Sequence, residues 1–248
     1  MNELVNSYFS SRTVLDERVA LQKVVDDVFD SKETVNVLEA GCGSATHIKM
    51  GANAYVVGID ISRRQLERNE SLNERILGDI QEYDLPSGGF DLIICWNVLE
   101  HLAHPRRALE NFARAVRDGG MIILRLPNVL SVEGLMTKCT PHWFHVWVQR
   151  HLYGREIGGE TGYKPFKTYM RMSLRPRALR LFAHGHGLIV RHCGVFARNR
   201  PHVLKNRHPV LYASYRLFAL LASVVTFGVV DAGSSGCLAV FQKASLQQ

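Results

Sequence analysis

Val37-Leu38-Glu39-Ala40-Gly41-Cys42-Gly43-Ser44-Ala45 is the stretch on which the reading of this chain turns. An apolar run that ends in a glycine-rich turn lets backbone N–H groups approach a ligand closely, because side chains at Gly41 and Gly43 would occupy the ligand's space. The next apolar run, Val56-Val57-Gly58-Ile59-Asp60, closes on an acid nineteen positions after Gly41. A carboxylate there can accept hydrogen bonds from both hydroxyls of a ribose. The pair implies a ribose-bearing cofactor beyond the ends of two parallel strands.

The same rhythm continues outward. Short apolar runs at 35–40, 55–59, 75–77, 90–95, 121–126, 188–193 and 237–241 are bounded by Gly, Asp, Pro or Asn and read as seven strands. Helical periods fill several gaps. Ser62–Asn73 opens with the S-x-x-Q spacing of a capping box. A second helix begins at His104-Pro105 and ends at Asp118-Gly119-Gly120, and a third runs from Pro176 to His186. Thr46–Met50 leaves room for at most one helical turn after the glycine loop. Val14–Phe29 has an amphipathic pattern and reads as a helix added ahead of the first strand. Alternating strands and helices predict an α/β fold with a Rossmann-like, doubly wound seven-stranded sheet. It is mostly parallel with an antiparallel last strand, covered by helices on both faces.

With 248 residues, 46% hydrophobic and 21% charged, the chain suits one globular domain able to build a core without disulfides or structural metal. Within it, 1–34 reads as a helical extension and 35–126 as the cofactor-binding core. Residues 127–172, rich in His, aromatics and Lys/Arg, read as a lid insertion over the acceptor. Residues 173–248 return to the sheet and carry an apolar helix at 210–230. The five cysteines form no C-x-x-C pair, and the N-terminus lacks the pattern of a secretory signal, so a reducing, cytoplasmic setting is expected. The net charge of +7 is uneven. Residues 1–100 hold 9 Lys+Arg against 17 Asp+Glu, and residues 101–248 hold 21 against 6. The basic half suggests contact with an anionic partner or a solvated basic face.

A dinucleotide fingerprint would place a third glycine where this chain has Thr46, which disfavours NAD. Glu39 beside the turn would repel a pyrophosphate and suits a ligand carrying an ammonium and a sulfonium, as S-adenosyl-L-methionine does. The motifs taken together resemble the class I SAM-dependent methyltransferases, in particular the small-molecule group that includes ubiquinone-pathway enzymes. They are Glu39-Ala40-Gly41-Cys42-Gly43, Gly58-Ile59-Asp60-Ile61-Ser62, Gly78-Asp79-Ile80, Phe90 through Leu102, and Asp118-Gly119-Gly120 before a strand. The resemblance implies that Glu39, Gly41, Cys42 and Gly43 line the methionine and ribose side and that Asp60 holds the ribose. It further implies that Ile61 packs on adenine, Asp79 and Ile80 face its amine and ring edge, and Cys95 and Asn97 lie near the sulfonium. S-adenosyl-L-homocysteine would be the product. Ala45 stands where a glycine is more usual and narrows the loop.

Methyl transfer needs alignment and a place for the acceptor's proton, and a neutral imidazole is a suitable base. His101 is the first candidate, although in relatives a Leu-Glu-His here often stitches the loop to a neighbouring helix. His142 and His145, in the expected lid, are the others. No metal is expected, because the Glu-x-x-Glu-His arrangement of some ubiquinone-type relatives would need a carboxylate at Asn97. Cys95-Trp96-Asn97-Val98 replaces the Asn/Asp-Pro-Pro-aromatic motif of enzymes that methylate exocyclic amines, so nucleic acid is disfavoured and oxygen on a small or lipid-like molecule is expected. Residues 210–230 carry Arg216 as their single charge, and 137–207 hold 14 Lys+Arg against 2 Asp+Glu. The stretch could pack on the domain or on a second copy as a homodimer, lie at an anionic membrane surface, or span a bilayer. RNA methylation by the basic half and a non-catalytic SAM-fold scaffold are the competing functions.

Overall fold

The computed structural model describes residues 14–141, 143, 147, 151, 167–197, 205–227 and 231–245. The chain runs α1 (Val14–Phe29), β1 (Val35–Ala40), β2 (Ala54–Asp60), α2 (Arg63–Arg68), β3 (Glu74–Leu77), β4 (Phe90–Trp96), a 3-10 turn (Leu99–His101), α3 (Pro105–Ala115) and β5 (Val116–Pro127). It continues through α4 (Val132–Cys139), a second 3-10 turn (Met172–Leu174), α5 (Pro176–Gly185), β6 (Leu188–Phe196), α6 (Pro209–Val225) and β7 (Gly236–Lys243). The seven strands form one sheet in the order β3-β2-β1-β4-β5-β7-β6. The first five are parallel, and β7 runs antiparallel between β5 and β6. The predicted class and all seven predicted strands are therefore present.

Alternation along the strands divides the core into two layers. Leu38, Ile59, Ile93, Cys95 and Leu124 face α3 and α5, which contribute Leu109, Phe112, Leu179 and Ala183. Val37, Val56, Leu92, Ile94 and Ile123 face α1, whose Leu21, Val24, Val25 and Phe29 recur at helical spacing. At the N-terminal end of the sheet the fully buried Asp91 accepts from Asn36 N–H, Lys32 Nζ and Arg117 Nη1, each at 2.9 Å. This closes the end opposite the strand termini where ligands bind.

Three expected helices come out differently. The helix expected over Ser62–Asn73 stops at Arg68, and the Ser62 side chain makes no capping bond. Arg75 donates to the carbonyls of Leu66 and Asn69 at 2.9 and 2.6 Å, and Asn73 exchanges hydrogen bonds with the main chain of Val56, so 69–73 is drawn into the sheet edge. The helix after Pro105 ends at Ala115 rather than at Asp118-Gly119-Gly120. The buried, β-branched Val116 begins β5, and the glycines fall within the strand, with Gly119 at φ 74°. Thr46–Met50 has no helical turn. Its main chain is satisfied by α1 instead, because Gln22 bonds both the N–H and the carbonyl of Lys49, and Arg18 Nε donates to His47 O.

Candidate functional site

In chain order the sheet grows from β1 out to β3, then returns to place β4 on the other side of β1. The crevice at that reversal is where doubly wound folds bind ligands. Parallel register levels the strand ends, with Ala40 opposite both Ile59 and Cys95, and Cys95 opposite Leu124. By the same alternation, Glu39, Asp60, Trp96 and Arg125 project on the α1 side of the sheet.

Gly41 (φ 70°) and Gly43 (φ 58°) take left-handed conformations. A Cβ on Gly41 would lie 2.5 Å from Val98 Cγ2, so the glycine lets the turn close down on the loop after β4. The N–H groups of Gly41 and Cys42 donate to Ile59 O. The carboxylate of Asp60 accepts from Gly43 N–H at 3.0 Å and from Ser62 N–H at 2.8 Å. Those bonds leave lone pairs on both oxygens for hydroxyl donors. Ile61, 65% exposed, stands beside it as an apolar face open to a ring. Cys42 is buried behind the turn, where its sulfur would meet a Cβ on Gly58, and burial raises its thiol to about 12.

Glu39 is the strongest signal. Its side chain is buried, it accepts from the His47 main-chain N–H, and Oε2 has no hydrogen-bond partner among the described residues. Burial raises its pKa to about 7. A buried carboxylate with an open oxygen beside a glycine turn fits a cationic ligand group such as the ammonium of S-adenosyl-L-methionine.

Other predicted residues are placed less simply. Asp79 is half-buried and accepts from the main chain and side chain of Gln81. Ile80 and Cys95 turn their side chains into the core on the α3 side, with Cys95 near the end of β4 and Ile80 three residues beyond the end of β3. The cause at Cys95 is strand alternation, which pairs it with Ile93 rather than Ile94. Burial raises its thiol pKa. Asn97 adopts φ 55°, donates its N–H to Arg125 O at 2.7 Å and accepts from Arg125 Nη1 at 3.1 Å.

His101 joins the loop after β4 to the segment at 167–171. Its Nδ1 lies 3.0 Å from Lys167 O, which fixes the proton on that nitrogen, and 3.3 Å from Thr168 Oγ1. Nε2 lies 3.9 Å from Glu100 Oε1. Burial lowers the imidazole below its ordinary pKa, against the raising effect of the bond to Lys167, so it is neutral at neutral pH. Main-chain N–H bonds from Tyr169 and Met170 to Glu100 O, and a side-chain bond from Arg171 Nε to Ala103 O, continue the same seam. His142 and His145 lie outside the described residues.

Sequence reasoning missed an aromatic and cationic layer beside Glu39. The His47 ring stacks on Trp96 at 5.1 Å, and the Arg125 guanidinium lies 4.8 Å from the Trp96 ring centre and 5.2 Å from that of Phe196. Burial, with the charges of Arg18 and Arg125, lowers His47 to about 4, so its imidazole is neutral. The available signal was Arg125 itself, a charge inside the apolar run of a central strand. Among the described residues no group of three or more His, Cys, Asp or Glu could hold a metal ion, and no helix is long and apolar enough to cross a membrane.

A methyltransferase-domain family matches residues 15–188. The chain is 28% identical over 153 residues to the ubiquinone biosynthesis O-methyltransferase of Colwellia psychrerythraea, covering 53% of this chain and 61% of that one. It is 26% identical over 123 residues to ajmaline N-methyltransferase of Rauvolfia serpentina, covering 45% and 42%. The chain spans between 33% and 61% of the length of such curated relatives. A Haemonchus contortus phosphoethanolamine N-methyltransferase, solved with S-adenosylhomocysteine, superposes with a TM-score of 0.54 at 14% identity, covering 97% of this chain and 55% of that one. That likeness shows the fold alone. From the matched family, the sheet order and the glycine turn between Glu39 and Asp60, the chain belongs to the class I SAM-dependent methyltransferases.

Proposed function

We propose that this chain transfers a methyl group from S-adenosyl-L-methionine to a hydroxyl of a small or amphipathic metabolite. The observation that carries the cofactor assignment is the buried Glu39 carboxylate with its open Oε2, set against the Gly41 turn. Glu39, Gly41 and Gly43 would hold the methionine and ribose side, Asp60 the ribose hydroxyls, and Ile61 with Asp79 the adenine. When bound, the cofactor supplies a methyl group already activated for displacement. The chain's own residues therefore need only align the acceptor, exclude water and remove one proton.

Two features support a hydroxyl acceptor. A neutral His101 with its proton fixed on Nδ1 presents Nε2 as the basic nitrogen, able to take a hydroxyl proton. The partly buried layer of Trp96, His47 and Phe196 rings, with the Arg125 guanidinium on Trp96 and Phe196, suits an aromatic or unsaturated acceptor that carries a polar group. The C. psychrerythraea relative, an O-methyltransferase by name, agrees with this reading, whereas the R. serpentina relative is named for nitrogen.

The test is incubation of the full chain with methyl-labelled cofactor and an extract of its source cells, followed by partition between organic solvent and water. Base-stable label in the organic phase, located on oxygen by mass spectrometry, is the expected result. Label confined to RNase-sensitive material would replace the metabolite with RNA. Cofactor binding without transfer to any acceptor would leave a scaffold.

A further inference from the structure

We infer that α6 and its basic surroundings form a docking surface for an anionic phospholipid bilayer, on which the chain sits without crossing it. α6 leans on the body through a narrow contact, where Tyr215, Ala219 and Ala222 meet Val132 and Ala232, and Ala219 is its one buried residue. On the outward side, Val210, Leu217, Leu221 and Val224 follow the helical period as a continuous ridge, widened by Leu220 and Val225. Each of these six is more than half exposed, up to 79% at Val210, and Phe227 just beyond the helix is 95% exposed. Seventeen residues make a ridge about 25 Å long. Soluble surfaces rarely leave so contiguous an apolar area in water.

Charge selects the occupant. Residues 161–230 contain 12 Lys+Arg and no Asp or Glu. Lys205 and Arg207 lie immediately before α6, and Arg216 flanks the ridge. An apolar stripe preceded by Lys205 and Arg207 and flanked by Arg216 matches a membrane interface, where the stripe enters the acyl boundary and the cations meet anionic head groups. A second copy of the chain fits poorly, because α6 carries Arg216 and no acid, so paired helices would bring cations together without an acid on the facing helix. The length and composition of α6 keep it on the surface, since it does not suffice to cross. The surface stands on its own residues, independently of the acceptor's identity.

The experiment is co-sedimentation of the full chain with phosphatidylcholine vesicles made with and without phosphatidylglycerol. Binding is expected on the anionic vesicles, weak on the neutral ones and falling as salt rises. The exposed-site variant Leu217→Glu/Leu221→Glu should lose roughly tenfold or more of that binding. Lys205→Glu/Arg207→Glu should weaken it and flatten its salt dependence. Cofactor affinity and thermal melting, measured on the same variants, should stay at the wild-type level, which separates loss of this surface from loss of the methyltransferase site. No vesicle binding, equal binding to both vesicles, or insensitivity to both variants would overturn the proposal. A concentration-dependent dimer in sedimentation that Leu217→Glu dissolves, with no vesicle binding, would make the ridge a self-interface instead.

Discussion

Gly43 donates its amide hydrogen to Oδ2 of Asp60 at 3.0 Å, so the turn after β1 is tied to the acid that closes β2. Asp60 thus has two tasks, shaping the turn and offering lone pairs to a ribose. Asp60→Ala should weaken cofactor binding by about 100-fold or more, the loss of charge-assisted hydrogen bonds worth about 1.5–3 kcal/mol each. It should also cost about 1–2 kcal/mol of stability, since the Gly43 and Ser62 amides lose their acceptor. Calorimetric titration and urea denaturation check the two parts. Unchanged cofactor affinity with lowered stability would reduce Asp60 to a loop brace.

The close approach of Gly41 to Val98 gives a second expectation. Gly41→Ala puts a methyl 2.5 Å from Val98 Cγ2 on a backbone at φ 70°, combining a clash with left-handed strain. A loss of about 2–4 kcal/mol should follow, with weaker cofactor binding. Val98→Ala in the same chain should restore the part due to the clash and leave about 1–2 kcal/mol of backbone strain. A double-mutant cycle on thermal melting reads this directly. Additive losses would mean that the two loops are not packed as described.

Most of the fold was legible because its signals are local and periodic. The apolar runs of β1, β4 and β7, the α1 stripe and the Pro-started α3 and α5 all appear as patterns within a few residues. What escaped depends on contacts distant in sequence. Nothing near Thr46 shows that Gln22 and Arg18 satisfy the main chain at 47–49 in place of a helix. The early end of α2 is set by Arg75 reaching back to its last carbonyls. In the site, the glycines, Asp60 and Glu39 were readable as a motif, whereas the Trp96, His47, Arg125 and Phe196 layer joins four separate segments. At Cys95 the motif gave its place near the end of β4, whereas strand alternation decides that its side chain turns into the core.

His101 has a positioning bond on Nδ1, while a base would act through Nε2, and the two roles separate kinetically. If Nε2 takes the acceptor proton, His101→Ala lowers kcat by about 10²–10⁴ with little change in KM. Because burial holds its pKa below the ordinary 6.5 in the free chain, the acid limb of kcat/KM against pH should fall below that value in the wild type and vanish in the variant. If His101 only stitches Lys167 to the loop after β4, the variant raises KM and lowers the melting temperature while the acid limb stays. Steady-state kinetics across pH, with melting curves on the same samples, decides between them.

Glu39 carries a prediction whose sign is fixed by its pKa. The folded value of about 7 lies above the unfolded 4.5, so between those values the folded chain holds a proton that the unfolded chain has lost. Stability without cofactor should therefore fall as pH rises through this window, reaching a penalty of about 3 kcal/mol above it. Glu39→Gln removes the penalty, so at about pH 8 the variant should melt higher than the wild type, and below about pH 5 the two should coincide. The cofactor reverses this ordering, because its ammonium compensates the buried carboxylate and not the amide. Cofactor affinity of the wild type should rise from about pH 6 to about pH 7.5, with proton release on binding at the lower pH, measurable by calorimetry in buffers of different ionisation enthalpy. Glu39→Gln should bind weakly with no proton release. A variant both more stable and equally able to bind would remove Glu39 from the cofactor site, whereas a more stable, non-binding variant would show that the buried charge is retained for its ligand at the expense of the fold.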